Sequence, residues 1–543
     1  MDSRFHAVLI FCLLVVWKSA LSTNPPSPRP EITISATRLI GTNLRDGKVH
    51  AFLGVPYAVP PVSANAFKPA IPLTSLNSDG DTVAFEATTW SSHCHVFHRQ
   101  ANNTHASADC LKIDFLRPSK DVDTNLLVIF SNEPFSAEKL ANLVKLEVAV
   151  AVVHVREGVL GYATLAPTEK ENSNYGISDI LVALDFIQTN VKAFGVSNRI
   201  VIAAEGDVAS AVHVAFDEWY PRANADLKYQ LVLLNGHKKL ARFQPSLKTH
   251  DNTVSVLRKL GCHETSAEKG MDCLRSKDLK DIIDASQTWE DDFEEFGAPF
   301  RLTPQHQDGA VFSPVPLILA VDTNLDPSYY QTENDFNPDY SESDFESFLS
   351  RILENEPIPT QNLDLLKRQL RHQYIDSVGD AKDAYFLWKQ SRQILYDKVY
   401  HASTAALIKQ LKKDHDTTVF LGKYQVPSPL KTCLGDTTPE YQQPFCDLFF
   451  KFVVRYVIKG EPTKRECDPG KPKWPELSSS KRPYFIELKD DGTIEWDHNF
   501  GQAADALWNK HLPFLESLNL ASSETQETPQ DDGSDLDPTH SEL

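Results

Sequence analysis

The stretch R-I-V-I-A-A-E-G-D-V-A-S-A-V-H-V, Arg199 to Val214, has the residue order of a nucleophile elbow. β-Branched residues lead into a tight small-residue turn at Glu205, Gly206 and Asp207, and an alanine-rich segment with helical character follows. Such a turn lifts a nucleophile above the edge of a sheet for attack on a carbonyl. No serine stands in it. Gly206, at the centre of the turn, has no side chain to attack with. An aspartate nucleophile at Asp207 needs a histidine to activate water and N–H donors for an oxyanion, and the sequence supplies neither beside it. Asp207 is therefore read as a loop carboxylate. Ser210, His306, His401 and His415 are read as ordinary residues outside any triad, because a triad is a matter of geometry.

A turn of this kind needs a sheet beneath it, and the flanking sequence supplies one. Short β-branched runs such as L-L-V-I-F (Leu126 to Phe130) and V-A-V-A-V-V-H-V (Val148 to Val155) alternate with segments of helical spacing. S-D-I-L-V-A-L-D-F-I-Q (Ser178 to Gln188) predicts a helix capped by Ser178. Near-continuous apolar strands alternating with helices predict an α/β fold, with a large, mostly parallel central sheet covered by helices on both faces. Residues 330–415 are charged with a helical pattern and read as a helical insertion or lid-side layer. Trp90, Trp474 and Trp508 are read as core aromatics rather than as the lining of a gorge.

The 543 residues carry 54 Lys and Arg against 74 Asp and Glu, a net charge of -20. Nucleic acid and anionic membrane surfaces are poor partners for such a chain. Residues 1–22 have the charged start, short apolar run and small-residue cleavage site of a signal peptide, so the mature chain is expected to be secreted and extracellular. Nothing later is apolar for long enough to span a bilayer. Residues 23–31 are a Pro- and Ser-rich lead-in, 32–515 the folded domain, and 516–543 an acidic tail expected to be disordered. Secretion makes the cysteines legible as disulfides, with an odd number left after Cys12 departs with the leader. No spacing calls for a metal, and nothing calls for a cofactor. Asn102 heads the sequon N-N-T, a site for a glycan.

Several segments resemble, in order, the type-B carboxylesterase/cholinesterase family: G-V-P-Y-A-V-P-P-V (Gly54 to Val62), A-D-C-L-K-I-D-F (Ala108 to Phe115), G-V-L-G-Y (Gly158 to Tyr162), N-Y-G-I-S-D (Asn174 to Asp179), D-G-A-V-F-S-P (Asp308 to Pro314) and W-P-E-L (Trp474 to Leu477). The resemblance covers roughly residues 32–515 and implies one α/β-hydrolase domain. It also implies disulfides Cys94 to Cys110 and Cys262 to Cys273, and leaves the pairing among Cys433, Cys446 and Cys467 open.

The resemblance further implies a Ser, Glu and His triad with an oxyanion hole, and here the sequence departs from the family. G-E-S-A-G falls on Ala204 to Val208, which puts Gly206 in the nucleophile's place. Val208 replaces a glycine, which predicts a relaxed elbow. H-G-G-G-F falls on Ser131, Asn132, Glu133, Pro134 and Phe135. Pro134 has no N–H to donate, and Glu133 sets a carboxylate where negative charge must develop. The acid falls on Leu325, or on Asp326 with a slip of one residue, and the histidine on Leu434, which cannot move a proton.

The chain is thus expected to be an inactive hydrolase homologue, similar in kind to the cholinesterase-like adhesion proteins neuroligin, neurotactin, gliotactin and glutactin. Its partner is expected to be an extracellular protein, with a homodimer left open. Two rival readings are a carrier of a small hydrophobic ester or lipid in a vestigial gorge, and an ester hydrolase with atypical residues.

Overall fold

The computed structural model describes residues 28–34, 37–73, 84–94, 106–120, 123–165, 174–240, 246–263, 266–287, 300, 302, 312–323, 336–354, 361–414, 417–463, 473–477 and 484–518. The leader at 1–22, Asn102, His306, Leu325, Asp326, His415, Cys467 and the tail from 519 lie outside them.

Fourteen strands are present among the described residues. In chain order they are β1 (Glu31–Ile34), β2 (Thr37–Ile40), β3 (Thr42–Leu44), β4 (Val49–Pro56), β5 (Ala84–Glu86), β6 (Lys112–Pro118) and β7 (Thr124–Phe130). The rest are β8 (Val148–Val153), β9 (Val196–Glu205), β10 (Lys228–Leu234), β11 (Leu317–Asp322), β12 (Val419–Tyr424), β13 (Tyr484–Leu488) and β14 (Ile494–His498). β1, β2 and β5 form a small sheet, and the others join one sheet in the order β14-β13-β12-β11-β10-β9-β7-β8-β6-β4-β3. Pairing from β8 through β7 to β13 is parallel. The sheet is nonetheless mixed, because β14 on one side and β6, β4 and β3 on the other pair antiparallel.

The period of two along each strand divides the core between the two faces. Leu126, Val128 and Phe130 of β7 and Ile200, Ile202 and Ala204 of β9 pack into one cluster with the helices Tyr175–Asn190 and Gly206–Trp219. Leu127, Ile129, Val201 and Ala203 pack into another, with Ala137–Val144 and Gln443–Lys459. Both faces are covered, which is why the strands read as continuous apolar runs rather than alternating ones. The charged region after residue 336 forms a separate helical cluster around Phe345, Phe348, Leu370 and Ile394, closed by Leu512 near the end of the described chain. Trp474 is buried, with its indole N–H donating to Leu421 O at 2.8 Å, and Trp90 and Trp508 are half-buried against apolar clusters.

One local expectation fails. The helix predicted to start at Ser178 begins a turn earlier, at Tyr175, and Ser178 Oγ instead accepts the Ala70 N–H at 2.9 Å. Among the described residues three disulfides are present: Cys94 to Cys110, Cys262 to Cys273, and Cys433 to Cys446 with Cα atoms 5.3 Å apart. The last joins the short helix Pro429–Leu434 to Gln443–Lys459.

Candidate functional site

In an open α/β sheet ligands bind beyond the carboxyl ends of the strands, where the strand order reverses. Here that point lies between β7 and β9, since the chain leaves β7 for β8 on one side and returns to β9 on the other. The segment following β7 is Ser131 to Ser136 and the segment following β9 is Gly206. Topology therefore brings together two of the segments that the sequence singles out.

β9 runs to Glu205 and the helix begins at Gly206, with φ of 63° at the glycine. The expected relaxation of the elbow does not occur. Val208 packs into the core beneath the turn, and Gly206 alone adopts the left-handed conformation that the reversal requires. Asp207 is exposed on the first helical turn and no histidine bonds to it among the described residues. Ser210 is buried four residues along the helix, and its hydroxyl has no hydrogen-bond partner among the described residues.

The segment after β7 is tied down by its own side chains. Asn132 donates through Nδ2 to Val155 O at 2.6 Å and to Glu157 Oε1, and Ser131 Oγ accepts the Glu133 N–H at 3.1 Å. One backbone donor of this loop is thus spent internally, and Pro134 has none to offer.

A third segment, from β12, closes over both. Glu205 Oε2 accepts the Leu430 N–H at 3.2 Å, Lys431 Nζ pairs with Glu133 Oε2 at 3.2 Å, and the Ser136 N–H donates to Leu434 O at 2.7 Å. The segment reaches the elbow through Leu430 and Lys431. The Leu434 side chain is buried in the opposite cluster, beside Cys433 and Leu143. Leu325 lies outside the described residues, and β11 approaches the site with Asp322.

Sequence reasoning missed the acidity of this crevice. Burial pushes the Glu205 carboxyl up to about 8; the bonds from Leu430 and Ser428 oppose the shift, and Asp322 and Glu133 add repulsion. Burial also takes Glu157 up to about 8, with the Asn132 amide opposing and Asp207 and Glu133 reinforcing. Glu157 is 48 residues from Glu205 in sequence, and only the register of β8 brings it here. The one legible signal was its place just beyond an apolar strand.

These shifts set a pH dependence. With folded values of about 8 against an ordinary 4.5, the folded chain keeps protons on both carboxyls that the unfolded chain releases. Their contribution is full below the unfolded value and declines as pH rises toward 8. His213 runs the other way: burial lowers it to about 4, so its contribution is present above its ordinary 6.5 and lost as pH falls. The melting temperature is expected to fall as pH rises from about 6.5 to about 8.5, and Glu157→Gln is expected to flatten that slope. An unchanged slope in the variant would show that Glu157 is already ionised in the native protein.

The sequence pattern of the Carboxylesterase family matches residues 28–508. The chain belongs to the carboxylesterase family. Among its relatives is the neuroligin-like protein glit-1 of Caenorhabditis elegans, 24% identical over 308 residues, which cover 50% of this chain and 41% of that protein. Carboxylesterase 5A of Felis catus is 24% identical over 426 residues, 72% of this chain and 73% of its own length. Acetylcholinesterase of Electrophorus electricus is 27% identical over 315 residues, 52% and 46% of the two chains. The match thus spans less than half of the neuroligin-like relative and nearly three quarters of the carboxylesterase. Membership fixes the α/β-hydrolase fold. Within it, the elbow and the β7 loop of this carboxylesterase-family chain occupy the switch-point crevice.

Proposed function

We propose that this chain is an extracellular, non-catalytic member of the carboxylesterase family that acts by binding a protein partner. The observation that carries the reading is the glycine at the elbow apex. It stands with a neighbouring loop in which Glu133 and Pro134 replace small donors, and with Leu434 packed away from the crevice. A negatively charged tetrahedral intermediate has no nucleophile to form it here and meets carboxylates where it needs donors. The leader-like residues 1–22, the Asn102 sequon and three disulfides support an oxidising, extracellular setting. No described helix is long and apolar enough to cross a membrane. The neuroligin-like relative supports a protein partner by analogy.

The purified protein is expected not to hydrolyse p-nitrophenyl or naphthyl esters above a heat-denatured control, and not to take up an organophosphate label. Covalent labelling at any residue sinks the non-catalytic reading. The binding half is tested by displaying the chain on cells: they are expected to cluster with each other or with cells carrying a partner. Failure to cluster with any tested cell type argues against adhesion.

A further inference from the structure

A groove of about 590 Å³ runs between the helices Ala137–Val144 and Gln443–Lys459, on the face of the sheet opposite the elbow helix. Its volume falls within the range of small-molecule sites, roughly 300–1,000 Å³. Two stripes run along the longer helix at the four-residue spacing of one helical face. Phe450, Val454 and Ile458 form an apolar stripe, and Lys451, Arg455 and Lys459 a basic stripe beside it. Leu143 and Leu146 line the other wall, with Leu146 48% exposed. Three cations in register run against the composition of a chain with net charge -20.

Two of the three charges are also available. Lys451 and Lys459 are exposed and make no ion pair or hydrogen bond among the described residues. Arg455 is held by Glu461 at 2.9 Å and keeps a buried Nε without a partner. Lys139, on the far wall, is engaged by Gly435 O and Thr438. Among the described residues Asp447 is the one carboxylate lining the groove, one turn before Lys451. The basic stripe spans nine residues, about 12 Å along the axis from Lys451 to Lys459.

We infer that this groove binds an anionic amphiphile, a long-chain carboxylate whose hydrocarbon lies on the apolar floor while its headgroup sits among Lys451, Arg455 and Lys459. A neutral chain of equal length gains the floor but not the cations. A shorter acid keeps the cations and loses floor contact, at about tenfold in affinity for every two methylenes removed. The site lies outside the crevice and does not depend on whether the elbow is catalytic.

The test is titration of the purified chain with dansyl-labelled undecanoic acid below its micellar concentration, followed by displacement with palmitate and with hexadecanol. Micromolar probe binding is expected, reversed by palmitate and at least tenfold less readily by hexadecanol. The variant Lys451→Glu/Lys459→Glu is expected to bind at least tenfold more weakly with an unchanged melting temperature, because both side chains are exposed. Val454→Trp, which fills the groove, is expected to lose binding without reversing charge. Probe binding unaltered in both variants, equal displacement by hexadecanol, or no binding up to about 100 µM overturns the assignment.

Discussion

Gly206→Ser is expected to leave p-nitrophenyl butyrate turnover at background. The turn itself is competent, since Gly206 already holds a φ of 63° and a serine there pays about 1–2 kcal/mol for the left-handed conformation. The chemistry around it is not. Adding Leu434→His brings no base to the elbow, because position 434 points into the opposite core, and Leu325→Glu supplies only a partner for an absent imidazole. Replacing Ser131, Asn132, Glu133 and Pro134 by His, Gly, Gly and Gly restores backbone donors, each worth about two to three powers of ten in rate. It also frees Glu157 from Asn132 and Lys431 from Glu133, so the rebuilt loop is expected to be less stable than the parent. Measurable activity is expected only when loop, nucleophile and base are rebuilt together and the 429–434 helix is re-set. A Gly206→Ser single variant that turns over substrate well above the parent would falsify the inactive reading at its root.

The largest expected loss of stability comes from Asp179→Ala. Asp179 is fully buried and takes the Arg156 backbone N–H at 3.0 Å, Nε at 2.9 Å and Nη2 at 2.6 Å. Arg156 also donates through Nη2 to Lys68 O at 2.8 Å, which fastens the end of the β8 strand to the N-terminal segment. Removing the carboxylate strands a buried guanidinium, at about 3–5 kcal/mol. The denaturation midpoint of Asp179→Ala is expected to drop accordingly. The double variant Arg156→Met/Asp179→Leu is expected to recover most of the loss, since a well-packed apolar pair avoids the desolvation of both charges. A double variant no more stable than the single one would mean that the pair is needed for its hydrogen bonds rather than its charge balance. Because Arg156 precedes Glu157, this same pair holds the acidic crevice in place.

Much of the architecture could be read locally. L-L-V-I-F and V-A-V-A-V-V are strands because β-branched residues fit a pleated surface and both faces are covered, and the helical pattern after residue 336 forms a helical layer. Ser178 misled because a serine near a helix start resembles a cap, whereas its hydroxyl is used by Ala70, more than a hundred residues away. Val208 misled because a lost glycine matters only if the backbone there needs its freedom. The turn takes its positive φ at Gly206.

By itself the sequence determined what is chemically absent: a side chain at position 206, an N–H at 134 and an imidazole at 434 are properties of residue type, true in any fold. It also determined the strand and helix pattern, because periodicity is written in consecutive residues. Only the tertiary structure decided which cysteine pairs with Cys433, which way Leu434 faces, and that Glu133, Glu157 and Glu205 share one crevice. Those outcomes depend on distances between segments tens to hundreds of residues apart, set by strand order and register. Burial, and with it the raised carboxyl pKa values, belongs to the surroundings of a residue and not to its identity.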